Sequence, residues 1–268
     1  MTATTARDGY IHGTEPSEQQ RLVALNRMTN AAFVQFLAVA PGTRVLEVGS
    51  GLGVLAAEVA AAAASVEVLG IEKASEQLAA APAVPGVTFL KGDAHHLEFA
   101  DETFDLVYAR YLLEHVGRPE QVVTEMRRVA RIGGRVAVCE NDITLVRLDP
   151  PCSGFETVWK MFGRYQERLG GDALIGRRLY RLFRSAGFSR IELSVQPEVH
   201  WSGSPGFEPW VRNLIGNLES GRQGLLESGM CDRQTYEKAV SELTSLIDRS
   251  DGSAHFMWNR AMAVRTEP

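Results

Sequence analysis

A glycine-rich loop carries the clearest chemical signal in the sequence. Residues 45–53 read VLEVGSGLG, and a predicted helix follows directly. Glycines at positions 49, 51 and 53 allow a tight turn and let the backbone approach a ligand closely. The start of the helix adds unpaired N–H groups and the positive end of the helix dipole. Gly49, Ser50, Gly51 and Gly53 are therefore predicted to bind part of a small ligand.

The spacing of these glycines distinguishes the loop from a dinucleotide-binding loop. The dinucleotide pattern G-x-G-x-x-G would need a glycine at Val54, whereas this loop reads G-x-G-x-G. Glu47 precedes the loop, where its carboxylate would oppose a pyrophosphate but could bind the ammonium group of an amino acid through water. The predicted ligand is therefore an adenosine that carries an amino acid.

Polar residues after the next strands extend this prediction. Glu72 ends the second predicted strand, where a carboxylate can accept from both ribose hydroxyls, although this position would also suit NAD. Gly92, Asp93 and Ala94 follow the third strand. There a carboxylate can accept from an adenine amino group and a backbone N–H can donate. The remaining predicted cofactor-binding residues are Lys73, Arg110 and Tyr111.

The elements that position these residues alternate between strands and helices. Predicted strands span 44–48, 66–71, 87–90, 104–108 and 135–140, and predicted helices span 52–64, 75–81 and 119–132. We expect Gly133-Gly134 to end the last of these helices. This alternation predicts an α/β fold, with a parallel sheet covered by helices on both faces.

The segments before and after this alternating region have a different, mainly helical pattern. A capping box with Ser17 at the N-cap and Gln20 at N3 starts a helix that stops at Pro41-Gly42. Later helices are predicted at 155–169 and 173–186, and later strands at 190–196 and 255–264. The segment 202–251 is too long for a hairpin loop, so we expect it to fold as a helical insertion.

Taken together, residues 43–140 resemble the class I S-adenosylmethionine (SAM)-dependent methyltransferases. The shared segments are the E-x-G-x-G-x-G loop, the ribose carboxylate, the G-D-A segment, F-D-x-V-x-x-R-x-x-L-E-H and the R-V-x-x-x-G-G turn. Ile132 departs from the family, which usually has proline before the paired glycines. The resemblance implies SAM as cofactor and S-adenosylhomocysteine (SAH) as product. It also implies a Rossmann-like seven-stranded, mostly parallel sheet, with the last strand antiparallel between the fifth and sixth.

On this resemblance we expect a single methyltransferase domain over 1–268. Its parts are an N-terminal helical lid (1–42), a SAM-binding core (43–140), helical lid insertions (141–187 and 202–251) and the last strands (188–201 and 252–268). The opening Tyr10-Ile-His12-Gly13 and the following E-x-x-R-L resemble the N-terminal lid of small-molecule methyltransferases in the ubiquinone- and natural-product-related branches.

The positions of several motifs argue against some classes of methyl acceptor. Amino-methylating DNA enzymes carry [D/N/S]-P-P-[Y/F/W] after the fourth strand, but residues 109–112 read ARYL there. The similar segment DPPC at 149–152 follows the fifth strand and is predicted to be a turn. Residues 140–142 offer a partial ligand set, but adjacent residues alternate faces, so we predict no metal. The remaining acceptor is a small or medium-sized organic molecule.

Candidate residues for that acceptor lie on the lid and after the fourth and fifth strands. Each has an alternative structural role, in lid packing, at a helix start or in the core. The predicted catalytic residues are Tyr10, His12, His115 and Asn141. The predicted substrate-binding residues are Tyr10, Glu140, Asn141, Asp142, Trp159, Phe162, His200 and Trp201.

Composition narrows the partners and leaves several functions open. The 268 residues carry a formal net charge of -5, which argues against nucleic acid, and the three cysteines form no C-x-x-C pair. With no apolar leader and no membrane-length apolar run, we expect a cytoplasmic monomer or homodimer.

The predicted acceptor is a hydrophobic aromatic or N-heterocyclic metabolite, such as an indole or cyclic dipeptide, methylated at C, N or O. A protein or peptide methyltransferase and a non-catalytic SAM-binding protein remain alternatives; glycine spacing disfavours a nicotinamide-dependent oxidoreductase.

Overall fold

The computed structural model describes residues 11–12 and 16–267, and a sheet of eight strands runs through this part of the chain. The strands are β1 (Arg44–Val48), β2 (Glu67–Glu72), β3 (Val87–Lys91), β4 (Phe104–Arg110), β5 (Ala130–Glu140), β6 (Arg147–Asp149), β7 (Ile191–Trp201) and β8 (Ser253–Val264). The hydrophobic runs of the sequence predicted seven of them.

The strand order is β3-β2-β1-β4-β5-β8-β6, and β7 pairs with β8. β1 to β5 pair in parallel, whereas β8 pairs antiparallel with its neighbours. This confirms the predicted antiparallel last strand between the fifth strand and the strand near 190. The predicted count of seven is corrected to eight among the described residues. The extra strand, β6, has only three residues and pairs with β8 beyond the end of β5, so it was too short to show a period.

Eight α-helices accompany these strands in the described part of the chain. They are α1 (Pro16–Leu37), α2 (Val54–Ala61), α3 (Ser75–Ala80), α4 (Pro119–Val129), α5 (Ser153–Arg168), α6 (Leu179–Ser185), α7 (Phe207–Glu227) and α8 (Arg233–Ile247). The predicted helical insertion at 202–251 is confirmed by α7 and α8. Within residues 11–12 and 16–267, no helix is both long and apolar enough to cross a membrane.

Two predicted helix ends are wrong. α1 begins at Pro16, so Ser17 lies in its first turn and not at the N-cap. α4 ends at Val129, and β5 begins at Ala130, so Gly133 and Gly134 lie inside a strand. The pairing of β4 with β5 shifts register between Phe104 and Leu106. Gly133, with φ of 80°, supplies the backbone conformation that this irregularity needs.

The core lies on both faces of the sheet. One hydrophobic cluster joins α1 and α2 with α5, α7 and α8, and includes Phe155, Trp159 and Trp210. The other joins α4 and α6 on the opposite face, and includes Phe104, Met126 and Phe183. The insertion helices α7 and α8 therefore belong to the same core as α1, which places them over one region of the sheet.

Candidate functional site

A cavity of about 400 Å³ opens at the carboxyl ends of the parallel strands, the edge where ligands bind in open α/β sheets. Its walls come from the loop after β1, the ends of β2, β3 and β4, and the helices α1, α5 and α7. Sixteen predicted site residues line it. They are His12, Glu47, Gly49, Ser50, Gly51, Glu72, Lys73, Gly92, Asp93, Ala94, Arg110, Tyr111, His115, Asn141, Trp159 and Phe162.

The glycine loop folds in the left-handed region of backbone space. Gly49, Gly51 and Gly53 have φ of 77°, 52° and 71°, values that other residues adopt at a cost. A Cβ on Gly49 would lie 2.9 Å from Leu112 Cδ1. A Cβ on Gly53 would lie 2.3 Å from the ring of Phe89, and Gly53 does not line the cavity. Gly53 therefore allows packing behind the loop, and is not placed to contact a ligand as predicted.

Glu47 lies on β1 below the loop and is almost fully buried. Burial raises the pKa of its carboxyl to about 8, against the opposing effect of the Arg110 guanidinium. Its Oε2 and the hydroxyl of Ser50 are buried and meet no hydrogen-bond partner among the described residues. Buried polar atoms are nearly always paired in proteins, so these two atoms mark the part of the cavity that is built for a polar ligand group.

Glu72 and Asp93 occupy the neighbouring strand ends. Glu72 Oε2 accepts from the Gly51 backbone N–H at 2.9 Å, and its Oε1 accepts from Ala74 N–H at 2.9 Å. Each carboxylate oxygen retains a second lone pair. Asp93 Oδ1 accepts from the backbone N–H of His95. Burial alone would raise the pKa of the Asp93 carboxyl, but the hydrogen bonds from the His95 backbone and side chain, with the charges of His95 and Lys73, together outweigh burial and lower it.

Arg110 connects the end of β4 to the helix α1. Its guanidinium donates to Asn26 Oδ1, to Asn30 Oδ1 at 2.5 Å and to Thr29 Oγ1 at 3.3 Å. It also lies over the ring of Tyr111, 5.0 Å from the centroid. Arg110 lines the cavity as predicted, but three of its hydrogen bonds hold α1 in place over the strand ends.

Two histidines meet at the other end of the cavity. The rings of His12 and His115 lie edge to face, with centroids 5.5 Å apart. Burial is the main cause that lowers the pKa of both imidazoles, and the Arg21 guanidinium adds to it. The ring of Phe162 lies 5.6 Å from that of His12. Both histidines are therefore held as neutral imidazoles, the form that can accept a proton.

Asn141 and Glu114 lie next to this pair. Asn141 Nδ2 donates to Glu114 Oε2 at 3.4 Å, and Gln166 Nε2 donates to the same oxygen at 3.2 Å. Asn141 Oδ1 is buried and meets no hydrogen-bond partner within the described residues. Asn141 lines the cavity, and the lone pairs of its Oδ1 suit a donor group on a bound molecule.

Two predicted substrate-binding residues have structural roles instead. The Glu140 carboxylate is fully buried and accepts from the backbone N–H groups of Leu112, Leu113 and Glu114. Asp142 caps a short 3-10 helix and forms an ion pair with Arg177 at 2.6 Å. Neither residue lines the cavity, because both turn back to satisfy backbone groups or a surface charge.

The other predicted contacts on β7 are also wrong. His200 stacks on Trp210, with ring centroids 5.4 Å apart, and lies 3.4 Å from the Glu198 carboxylate. Trp201 is 58% exposed at the end of the strand. β7 lies across β8 from β5, and this position takes both side chains away from the cavity. Tyr10 lies outside the described residues.

Other cavity residues did not feature in the site predicted from the sequence. Arg21 follows the predicted lid opening, and its guanidinium donates to both Glu18 oxygens and to Asn213. Gln77 lies on α3, five residues after Glu72. Its closeness in sequence to Glu72 could have indicated that it lines the cavity. Asn213 and Asn217 come from α7 and Trp258 from β8, so only the folded chain brings them to the cavity.

No group of three or more His, Cys, Asp or Glu in residues 11–12 and 16–267 could hold a metal ion.

The stacked rings of Trp159 and Phe162, with centroids 5.3 Å apart, form an aromatic wall of the cavity. The rings of Tyr111 and Trp258, 4.5 Å apart, form another. The cavity thus has two unlike ends. One end presents carboxylates and backbone groups, and the other is aromatic and holds two neutral histidines.

Comparison with known proteins relates this arrangement to a family. A family model described as a methyltransferase domain matches residues 46–138. A phosphatidylethanolamine N-methyltransferase from Cereibacter sphaeroides is 37% identical over 138 residues, which are 49% of this chain and 64% of the relative. The O-methyltransferase resE from Aspergillus sclerotiorum is 28% identical over 202 residues, 71% of this chain and 73% of the relative.

Solved structures show the same fold. Phosphoethanolamine N-methyltransferase 2 of Haemonchus contortus, in complex with S-adenosyl-L-methionine, superposes with a TM-score of 0.54 at 21% identity, over 93% of this chain and 53% of that one. The chain spans only 48% to 64% of the length of four curated relatives that it matches.

Proposed function

Because residues 46–138 match a methyltransferase domain, we propose that this chain is a class I SAM-dependent methyltransferase, which transfers the methyl group of SAM to a small organic acceptor held in the cavity. The observation that carries this proposal is the pairing of two unlike ends in one cavity. One end has the loop glycines with Glu47 and Glu72, and the other has His12 and His115 between aromatic walls.

The first end fits SAM by its chemistry. The partnerless Glu47 Oε2 and Ser50 hydroxyl suit the amino acid part of the molecule, whose ammonium and carboxylate need an acceptor and donors. The remaining lone pairs of Glu72 suit the ribose hydroxyls. Asp93 and the Ala94 backbone N–H suit the adenine ring. Bound SAM supplies a methyl group on a positively charged sulfur, which is already activated for transfer.

The second end favours a hydrophobic acceptor with an aromatic or N-heterocyclic body, such as an indole or a cyclic dipeptide. The stacked Trp159 and Phe162 rings and the Tyr111–Trp258 pair offer flat apolar surfaces. Asn141 Oδ1 offers an acceptor for an N–H or O–H group of such a molecule. We propose that α1 and the helices α5 and α7 form the lid over this acceptor.

His12 and His115 are the proposed proton acceptors. A base is needed only when the acceptor atom must lose a proton, and a neutral imidazole serves this role near neutral pH. Alignment of the two reactants in the closed cavity supplies the rest, on the order of 7–11 kcal/mol in favourable cases. A peptide substrate is disfavoured because the aromatic walls suit a flat apolar molecule, and a non-catalytic SAM-binding role would leave the two histidines without use.

An acceptor screen with methyl-labelled SAM tests this proposal. The panel contains indoles, cyclic dipeptides, phenols, secondary amines and a basic peptide, each incubated with the wild-type chain and with His115→Gln. Transfer to a small aromatic member that slows by roughly 100-fold in the variant would support it. Transfer to the peptide alone, or no transfer while SAM binds tightly, would contradict the small-molecule assignment.

The affinity for SAH is expected to rise with pH between 6.5 and 8.5. The pKa of Glu47 is about 8 in the ligand-free protein, so below pH 8 binding of an ammonium group must first remove a proton from this carboxyl. Affinity should increase by roughly 25-fold over the range and level off above pH 8. Calorimetry in buffers of different ionisation enthalpy should detect the released proton.

Glu47→Gln is the control for this pH dependence, since an amide does not titrate. The variant should bind SAH more weakly at high pH and with little change from pH 6.5 to 8.5. A wild-type affinity that stays flat across the range would mean that Glu47 does not contact the ammonium group.

A further inference from the structure

Ser220, on the insertion helix α7, forms two hydrogen bonds through a single hydroxyl. Its Oγ lies 2.8 Å from the backbone carbonyl oxygen of Asn217, one turn earlier in the helix. The same Oγ lies 2.7 Å from Nδ1 of His12. Ser220 does not line the cavity, whereas His12 does. The half-buried serine therefore contacts the histidine from outside the cavity.

The two contacts together determine which nitrogen of His12 carries hydrogen. A carbonyl oxygen only accepts, so the Asn217 contact uses the one hydrogen of the Ser220 hydroxyl. The contact with His12 must then be donated by the histidine, from Nδ1–H to Oγ. A hydrogen bond made by one ring nitrogen of histidine is the usual factor that selects its tautomer.

The surroundings of His12 favour the neutral ring before an acceptor binds. The Arg21 guanidinium on α1 and the ring of His115 face it, and with burial as the largest cause they lower its pKa well below the usual value. The nearby carboxylates are already engaged, since Glu18 pairs with Arg21 and Glu114 accepts from Gln166 and Asn141. In a neutral imidazole with hydrogen on Nδ1, the lone pair is on Nε2.

We propose that Ser220 is a positioning residue, which holds His12 in the Nδ1–H tautomer so that Nε2 takes the proton that the acceptor loses. This inference rests on the proposed function for its chemical purpose. The O–H or N–H bond of the acceptor breaks, its electron pair stays on the acceptor atom, and the proton forms a new bond to Nε2. The resulting imidazolium keeps its Nδ1–H bond to Ser220 and later releases the Nε2 proton to water.

Nuclear magnetic resonance of the full chain labelled with ¹⁵N-histidine tests the tautomer directly. The chain has six histidines, and His12→Gln identifies the signals of His12 by their loss. In the wild type, with and without SAH, we expect hydrogen on Nδ1 and a bare Nε2. In Ser220→Ala the Nδ1 signal should move toward the average of the two tautomers. Hydrogen on Nε2 in the wild type, or an unchanged pattern in Ser220→Ala, would overturn the proposal.

Ser228→Ala is the matched control, because Ser228 also lies at α7 and its hydroxyl also donates to a helix carbonyl, that of Leu225. It should leave the His12 signals unchanged. Ser220→Thr keeps the hydroxyl and should restore the wild-type tautomer.

A kinetic arm distinguishes this proposal from the proposed function. With the acceptor found in the screen, Ser220→Ala should lower kcat by about tenfold with KM for SAM unchanged, and Ser220→Thr should recover it. A wild-type rate in Ser220→Ala with a changed tautomer would refute the proton role of His12. The tautomer measurement needs no acceptor, so failure of methyl transfer as a whole would leave it readable.

Discussion

A Gly53→Ala variant is expected to lose about 2–5 kcal/mol of its free energy of unfolding. Gly53 has φ of 71°, where an alanine is less stable by about 1–2 kcal/mol. The new Cβ would lie 2.3 Å from Cζ of Phe89, and overpacking of this kind costs about 1–3 kcal/mol. The ring cannot simply move away, because Gly70 contacts it from the strand β2 and has no room for a Cβ either. Urea unfolding followed by circular dichroism measures the loss.

Gly42→Ala separates the two contributions. Gly42 has the same φ of 71°, but a Cβ there would meet nothing within 4 Å. This variant should lose only the conformational part, about 1–2 kcal/mol. Phe89→Leu in the Gly53→Ala background should recover part of the difference, since a smaller side chain leaves space for the methyl group. Equal losses in Gly53→Ala and Gly42→Ala would show that Phe89 does not constrain the loop.

The second large effect is expected at Glu72. Glu72→Ala should weaken the binding of SAH by about 100-fold, because hydrogen bonds to a charged group contribute about 1.5–3 kcal/mol each. The carboxylate has two proposed functions, since it accepts from Gly51 and Ala74 N–H and offers its other lone pairs to the ribose. Isothermal titration calorimetry measures the dissociation constant.

Glu67→Ala is the control for this effect, since Glu67 begins the same strand and its side chain is exposed. It should bind SAH as the wild type does. Glu72→Gln retains one carbonyl oxygen and should fall between the wild type and Glu72→Ala. Unchanged affinity in Glu72→Ala would remove Glu72 from the proposed cofactor site.

The residues at the proposed cofactor end of the cavity could be grouped from the sequence because they are local in sequence. Each one follows a buried strand, and the carboxyl ends of parallel strands meet at one edge. Glu47, Glu72 and Asp93 therefore reach the same cavity from strands that the hydrophobic pattern identified. Gly53 was assigned to the cofactor for the same reason, but the side chain of Phe89, 36 residues later, decides its position.

The acceptor end was less predictable because it depends on distant packing. Asn213 and Asn217 reach the cavity only because α7 packs against α1 and α5, which no local pattern encodes. Glu140 was misassigned because its type and strand-end position suit a ligand, whereas the tight turn at 112–114 needs its carboxylate as an acceptor. His200 and Trp201 were misassigned because the placement of β7 on the far edge of β8 directs them away from the cavity.

Titration of the wild-type chain with SAH and, separately, with NAD tests the central claim most directly. We expect SAH to bind with a dissociation constant in the micromolar range, about -8 kcal/mol, and NAD to give no binding heat. The same titration with Asp93→Ala should be weaker for SAH. Binding of NAD with no binding of SAH would contradict the account, because the glycine loop would then hold a dinucleotide and the assignment of methyl transfer would fail.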